Sequence, residues 1–239
     1  MMIIHGINKL TLLDYPEHTA CTLFTGGCSF RCPFCQNSAL ILHPDREPVL
    51  DMDWLFAFLN KRKRVLQGVC ITGGEPTLQK DLPDFIRKIR ELGYKIKLDT
   101  NGYHPEAVAA LLQDELLDAV AMDIKSSPGG YPLASGLPEE IFNISRIQRT
   151  VDMLMAYPEQ HPDFYYEFRT TLVKGIHTEK DMAEIGHWLR GTRNYFLQHY
   201  EDSEGVLDRS YSGFSLEETE HLARIVRKDI PNVRIRGLN

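Results

Sequence analysis

The 239-residue sequence has no apolar run approaching the roughly 20 residues that a membrane-crossing helix needs. Helical membrane proteins are therefore set aside. Positive charge is not in surplus either: 27 Lys and Arg stand against 33 Asp and Glu, a net charge of −6. Wholesale electrostatic binding of nucleic acid is not expected. The one basic run, Lys61-Arg62-Lys63-Arg64, follows a helical pattern and reads as a solvated helix end, where cations complement the dipole. Cysteine is scarce and odd in number, five in all, and no N-terminal stretch resembles an export signal. That argues against a disulfide framework and for free thiols in a reducing cytoplasm. Linkers, repeats and low-complexity stretches are also missing, so residues 1–239 are expected to form a single domain.

What is present is concentrated in eight residues. Cys28, Cys32 and Cys35 form a C-x3-C-x2-C triplet. Three thiolates so close hold three corners of a cubic iron–sulfur cluster, whereas four cysteines are the usual complement. A missing fourth ligand leaves one iron open to a small molecule. Structural zinc is the competing reading, but zinc sites usually close with four ligands in two pairs. His43 is the nearest downstream candidate, and no H-x3-5-H pair follows it. The other two cysteines, Cys21 and Cys70, lie in apolar runs and read as buried strand residues acting as small hydrophobes.

Apolar, β-branched runs recur at residues 20–25, 67–72, 94–99, 117–124, 164–173, 194–200 and 232–236. Helical periodicity fills the gaps, as in Leu82, Phe85, Ile86, Ile89 and Leu92. Gly93 is a candidate C-cap, Thr178 and Ser215 are candidate N-caps, and Glu218 completes a capping box with Ser215. Repeated strand–helix units predict an α/β fold with a parallel sheet. Six such units with an additional C-terminal strand suit a partial (β/α)6 TIM-like barrel. Residues 126–138 are the most irregular stretch and read as a mobile surface loop.

A parallel barrel carries its chemistry beyond the C-terminal ends of its strands. Six successive strand ends here are polar or glycine-rich. The first runs into Thr25-Gly26-Gly27 and the triplet. The second meets Gly73, Gly74, Glu75 and Pro76, and the third Asp99, Thr100, Asn101 and Gly102. The fourth ends at Asp123-Ile124-Lys125, the fifth carries Arg169 and then Lys174-Gly175, and the sixth ends at His199. Each has a use. Gly73 and Gly74 let a ligand approach the backbone. Glu75 offers a carboxylate to a ligand amine, and Pro76 stiffens the turn. Asp99 and Asp123, on neighbouring strands, repel unless a cation such as Lys125 or hydrogen-bond donors intervene. Arg169 can clamp a carboxylate through its planar fork, or simply pair with Glu167. His199 can stack or hydrogen-bond at the rim.

With these residues in view, C28-S-F-R-C32-P-F-C35 and G73-G74-E75-P76 resemble the radical SAM superfamily. Within it the chain is most similar to activases of glycyl-radical enzymes, above all the long-form activating proteins of anaerobic ribonucleoside-triphosphate reductase, with the pyruvate formate-lyase activases as relatives. The likeness extends through L98-D99-T100-N101-G102, D123-I124-K125, the stretch from Arg169 to Ile176, and the R-I-R-G-L-N tail. The resemblance implies a [4Fe-4S] cluster on the three cysteines and S-adenosylmethionine on the open iron. It implies that Phe34 shelters the adenine, and that Asn37, Asp99, Asn101, Asp123, Lys125, Arg169 and His199 surround the cofactor and substrate. It further implies a monovalent cation near Asp99, Thr100 and Asp123, flavodoxin or ferredoxin as electron donor, and a glycyl-radical enzyme as partner. A deazapurine synthase-like enzyme acting on a small molecule, or a zinc-binding module without catalysis, are the alternatives. The segment after Lys125 departs from the pyruvate formate-lyase branch, lacking its acidic and histidine-bearing stretch.

Overall fold

The computed structural model describes residues 2–237. Leu238 and Asn239, which end the R-I-R-G-L-N tail, lie outside the described residues. The elements run β1 (Ile4–Thr11), β2 (Ala20–Thr25), α1 (Ser38–Leu42), α2 (Met52–Arg62), β3 (Gly68–Gly73), α3 (Leu82–Glu91), β4 (Lys95–Thr100) and α4 (Pro105–Gln113). They continue β5 (Ala119–Asp123), α5 (Tyr131–Ser135), α6 (Ile144–Ala156), β6 (Tyr165–Leu172), α7 (Glu179–Trp188), β7 (Tyr195–His199), α8 (Leu216–Val226) and β8 (Arg234–Arg236). One sheet holds all eight strands in chain order, β1 to β8. β1 pairs antiparallel with β2, and every later pair is parallel. β2 to β7 form the expected partial barrel, with β8 as the additional C-terminal strand.

The parallel register puts like positions in rows. Leu23, Ile71 and Leu98 stand side by side, as do Thr22, Cys70 and Lys97. Because side chains alternate along a strand, the first row faces the helices and the second faces the barrel interior. The helix-facing row is closed by residues such as Phe85, Ile86 and Ile89 of α3, all buried. Each such side chain contributes roughly 1.5–3 kcal/mol. Gly93 follows α3 with φ +91, as a C-cap requires. Ser215 and Glu218 form the expected capping box, and Thr178 forms another with Asp181.

Three readings change. β1 was not foreseen: it is an edge strand with a glycine and register shifts near both ends, so its exposure does not alternate. Residues 126–138 are not a mobile surface loop. They contain α5, and Ser126, Ser127, Tyr131, Ala134 and Ser135 are all buried. Tyr131 stacks on Phe142 at 5.3 Å, and Lys125 N–H donates to its hydroxyl at 3.2 Å. Cys21 packs in the hydrophobic core as expected, but Cys70 faces the polar interior. Its thiol lies 3.6 Å from Asp99 Oδ1 and 3.9 Å from Lys97 Nζ.

Candidate active site

The C-terminal ends of β2 to β7 open into a cavity of about 280 Å³. Cys28, Cys32 and Cys35 line it, together with Phe34, Asn37, Gly73, Gly74, Asp99, Asn101, Asp123, Lys125, Arg169 and His199. Those residues were all read from sequence. Glu75 and Pro76 are the exceptions. Glu75 is fully buried, and its carboxylate is saturated by protein donors. One oxygen accepts from Thr77 N–H at 3.1 Å, the Thr77 hydroxyl, and the Thr100 hydroxyl at 2.8 Å; the other accepts from Asn101 N–H at 2.7 Å. It clasps the loop after β3 to the end of β4 and is not free for a ligand amine. Burial raises its pKa above the ordinary carboxyl value, against the pull of these donors.

The glycines before it also serve packing. A Cβ on Gly74 would stand 1.9 Å from the Gly27 carbonyl oxygen, and one on Gly73 2.4 Å from Thr25 backbone. Glu75 N–H donates to that same Gly27 oxygen at 2.8 Å. Only bare backbone lets this loop lie against the end of β2, where the cysteine segment begins.

The cysteine segment is gripped from two sides. Arg31 N–H donates to Ser135 C=O at 2.7 Å, at the end of α5. On the other side, Leu207 and Asp208 N–H donate to the carbonyls of Cys35 at 3.1 Å and Pro33 at 2.8 Å. Gln36 Nε2 reaches Glu201 C=O at 2.8 Å. This strap after β7 was not legible in the sequence.

The cavity floor is a chain of charges. Arg169 donates to Asp99 Oδ2 at 3.1 Å and to Asp123 Oδ1 at 2.9 Å. Lys97 pairs with Asp99, and Lys125 with Asp123 at 3.0 Å. The two carboxylates repel less than the sequence suggested because Arg169 lies between them. Burial alone would raise both carboxyls; Arg169 with Lys97 holds Asp99 below its usual range, and Arg169 with Lys125 holds Asp123 at about 2. Three cations against two carboxylates meet the demand for which a monovalent cation was expected near Asp99, Thr100 and Asp123. Arg169 is not engaged by Glu167. That carboxylate is gripped instead by Arg236 of β8 through two bonds of 2.9 Å. Lys174 turns away from the cavity to Glu218, at 2.8 Å.

The donor set fits a cluster better than one ion. Cys28 Sγ receives Phe30 N–H at 3.4 Å and lies 3.7 Å from Asn101 Nδ2, the kind of contact that stabilises a ligating sulfur. Burial pushes the Cys28 thiol up to about 11 and Cys32 up to about 12, so a bound cation is what would make thiolates of them. Among the described residues no three His, Cys, Asp or Glu converge on a single ion. His43 is exposed and outside the cavity. Sequence reading missed Thr171 and Gln198, paired across β6 and β7 on the cavity face. The two-residue alternation from Arg169 points to Thr171. His199 Nδ1 is buried without a partner among the described residues.

The family model named Radical SAM superfamily matches residues 22–130. A Methanocaldococcus jannaschii protein provisionally named a glycyl-radical enzyme activating enzyme is 31% identical over 247 residues, spanning 99% of this chain and 97% of that protein. The chain belongs to the radical SAM superfamily. The 7-carboxy-7-deazaguanine synthase of Methanopyrus kandleri is 28% identical over 171 residues, 63% of this chain and 66% of that enzyme. Streptococcus suis SuiB, solved with S-adenosylmethionine, superposes with a TM-score of 0.64 at 16% identity, over 91% of this chain and 52% of SuiB. The chain thus spans about half of SuiB, and that likeness shows the fold alone. No helix among the described residues is long and apolar enough to cross a membrane.

Proposed function

We propose that the chain is a glycyl-radical enzyme activase, with anaerobic ribonucleoside-triphosphate reductase as the first partner to try and flavodoxin or ferredoxin as electron donor. The observation that carries this reading is the convergence of three thiols without a fourth ligand and the Asp99–Arg169–Asp123–Lys125 charge chain in one cavity, in a chain whose 31% identical relative is matched end to end. Cys28, Cys32 and Cys35 would hold a [4Fe-4S] cluster, which would supply, when reduced, the electron for cleavage of S-adenosylmethionine and so the means of abstracting a hydrogen atom from a glycine of the partner.

The protein's part is to bind, orient and exclude. Arg169 and Lys125, in a charge chain that Lys97 brings to one positive charge beyond what Asp99 and Asp123 neutralise, attract the cofactor's carboxylate. Phe34 is buried with Lys125 Nζ 5.9 Å from its ring, and it offers an apolar face to the adenine. Asn37 Nδ2 reaches Gly73 C=O at 3.4 Å and ties the cysteine segment to the glycine loop. No side chain is assigned as general base, since hydrogen-atom abstraction needs none.

The test has two parts. Cys32→Ala, reconstituted with iron and sulfide, is expected to lose bound iron and the reductive cleavage of S-adenosylmethionine; full iron content and cleavage in that variant would sink the cluster assignment. The reduced wild-type chain, mixed with S-adenosylmethionine and candidate glycyl-radical enzymes, is expected to give a glycine-centred EPR doublet. The likeness to 7-carboxy-7-deazaguanine synthase favours a second reading, a small-molecule radical enzyme. Deazapurine turnover without a doublet on any partner would select it.

A further inference from the structure

The Lys61–Arg64 run has no place in the cavity, and none of its four cations pairs with a carboxylate among the described residues. It lies at one end of a face that is unusually apolar. Seven of the twelve large hydrophobic residues exposed among the described residues sit on β1, α2 and their flanks. Ile3 and Val49 are at one end of that face, Leu10, Leu12, Leu13 and Val65 at the other, and Trp54 lies between. Isolated exposed apolar residues are ordinary, but a cluster marks an interaction surface.

Two further observations define what fits it. β1 is an edge strand: apart from Leu50 N–H donating to Ile4 C=O at 2.7 Å and the His5 ring Nδ1 lying 3.1 Å from Pro48 C=O, both at its start, no other strand or loop is bonded to its outer side among the described residues. The opposite edge, β8, is guarded in the usual way, being three residues long with two arginines. β1 has eight residues and a single cation, Lys9, whose ammonium lies over the Trp54 ring at 5.3 Å. Trp54 in turn stacks on Phe58 at 5.6 Å, and the Arg62 guanidinium lies 5.8 Å from the Phe58 ring.

The charges at the two ends of α2 are opposite. Asp51 and Asp53 are exposed at its start, and Lys61 to Arg64 at its close. α2 runs alongside β1 in the same direction, since Leu50 meets Ile4 at one end and Val65 C=O accepts from Thr19, next to the Thr11–Ala20 pair, at the other. A face with acid at one end, base at the other and aromatics between is complementary to itself under a two-fold rotation. We propose that this face binds a second copy of the chain, with the two α2 helices antiparallel. Asp51 and Asp53 then meet the partner's basic run. Ile3 and Val49 meet its Leu12, Leu13 and Val65, and the Trp54–Phe58 pairs form the centre. Antiparallel α2 helices also reverse the barrels, so the two cavities open at opposite ends of the dimer and each stays free for a partner. This inference does not depend on the proposed function.

Sedimentation of the anaerobically purified full chain from about 1 to 50 μM is expected to give a species of twice the 27.4 kDa chain mass. Trp54→Glu, at a site 41% exposed, should keep its circular dichroism and raise the dimer dissociation constant roughly 30-fold or more, as loss of an interface anchor does. The charge-reversed variants Asp53→Lys and Lys61→Glu/Arg64→Glu should each dissociate alone and form a heterodimer when mixed. A chain monomeric at 50 μM overturns the proposal and leaves the face to a different protein. A Trp54→Glu variant that stays dimeric overturns it by placing the contact elsewhere. Charge-reversed variants that do not prefer each other overturn the antiparallel arrangement.

Discussion

Replacing Glu75 by Gln separates two roles for this carboxylate, a clasp within the protein or a partner for a ligand amine. The side chain is fully buried, and its two oxygens receive Thr77, Thr100 and Asn101. Gln exchanges one oxygen for an NH2 group, which can only donate. The less costly orientation turns that group toward the Asn101 N–H, because the other oxygen serves three donors. One charge-assisted bond is lost, about 1.5–3 kcal/mol, and a buried N–H is left unpaired, about 1–3 kcal/mol. Part of this is returned, because burial already disfavours the charged form of Glu75. A net loss of about 2–4 kcal/mol follows. For a chain of this length each kcal/mol moves the melting temperature by roughly 2–4 °C, so Glu75→Gln should melt roughly 4–16 °C lower by circular dichroism, without ligand present. A variant that melts within 1 °C of the wild type while binding S-adenosylmethionine more weakly would refute the clasp and restore the ligand role.

Asp123 gives a pH prediction. Its carboxyl is held at about 2, against an ordinary 3.8, by Arg169 and Lys125 acting against burial. A depressed carboxyl contributes stability that is complete above the unfolded value and is lost as pH falls through the folded one, here about 2 kcal/mol between pH 4 and 2. Urea titrations should show a shallower decline over that window in Asp123→Asn. Gly74→Ala puts a methyl 1.9 Å from the Gly27 carbonyl oxygen, and should lower the urea midpoint by the equivalent of about 1–3 kcal/mol or more. Gly129→Ala, with nothing within 4 Å of the added carbon, is the control and should change stability by less than about 0.5 kcal/mol.

The parallel strands were legible because each is a short apolar run bounded by turn residues, and their rim was legible because six runs end in polar groups. β1 was not, since an edge strand needs neither a buried face nor a regular register. The cavity residues were legible as types at strand ends. Their couplings were not. Arg169 is two residues from Glu167 in sequence and on the same face of β6, yet its partners are Asp99 and Asp123, because the register sets Asp123 beside it and Arg236 occupies Glu167. Glu75 shows the same limit: a carboxylate in a glycine loop reads as a ligand group until the donors of Thr100 and Asn101, on another strand, are placed around it. The burial of residues 126–138 was hidden by their glycines and prolines, which resemble those of a loop but shape α5 and its turns.

The double grip on the cysteine segment sets an order of events in making the protein. Cys28 to Cys35 leave the ribosome early, yet the carbonyls of Pro33 and Cys35 are fixed by Leu207 and Asp208, and Arg31 by Ser135. At roughly 5–20 residues per second, the strap emerges on the order of ten to thirty seconds after the thiols it holds. During that interval the three cysteines are exposed on a nascent chain with no fixed geometry and are open to stray metals and oxidants. Closure of the cysteine site, and with it any loading of a cluster into a fixed geometry, belongs to the stage after the last third of the chain has folded.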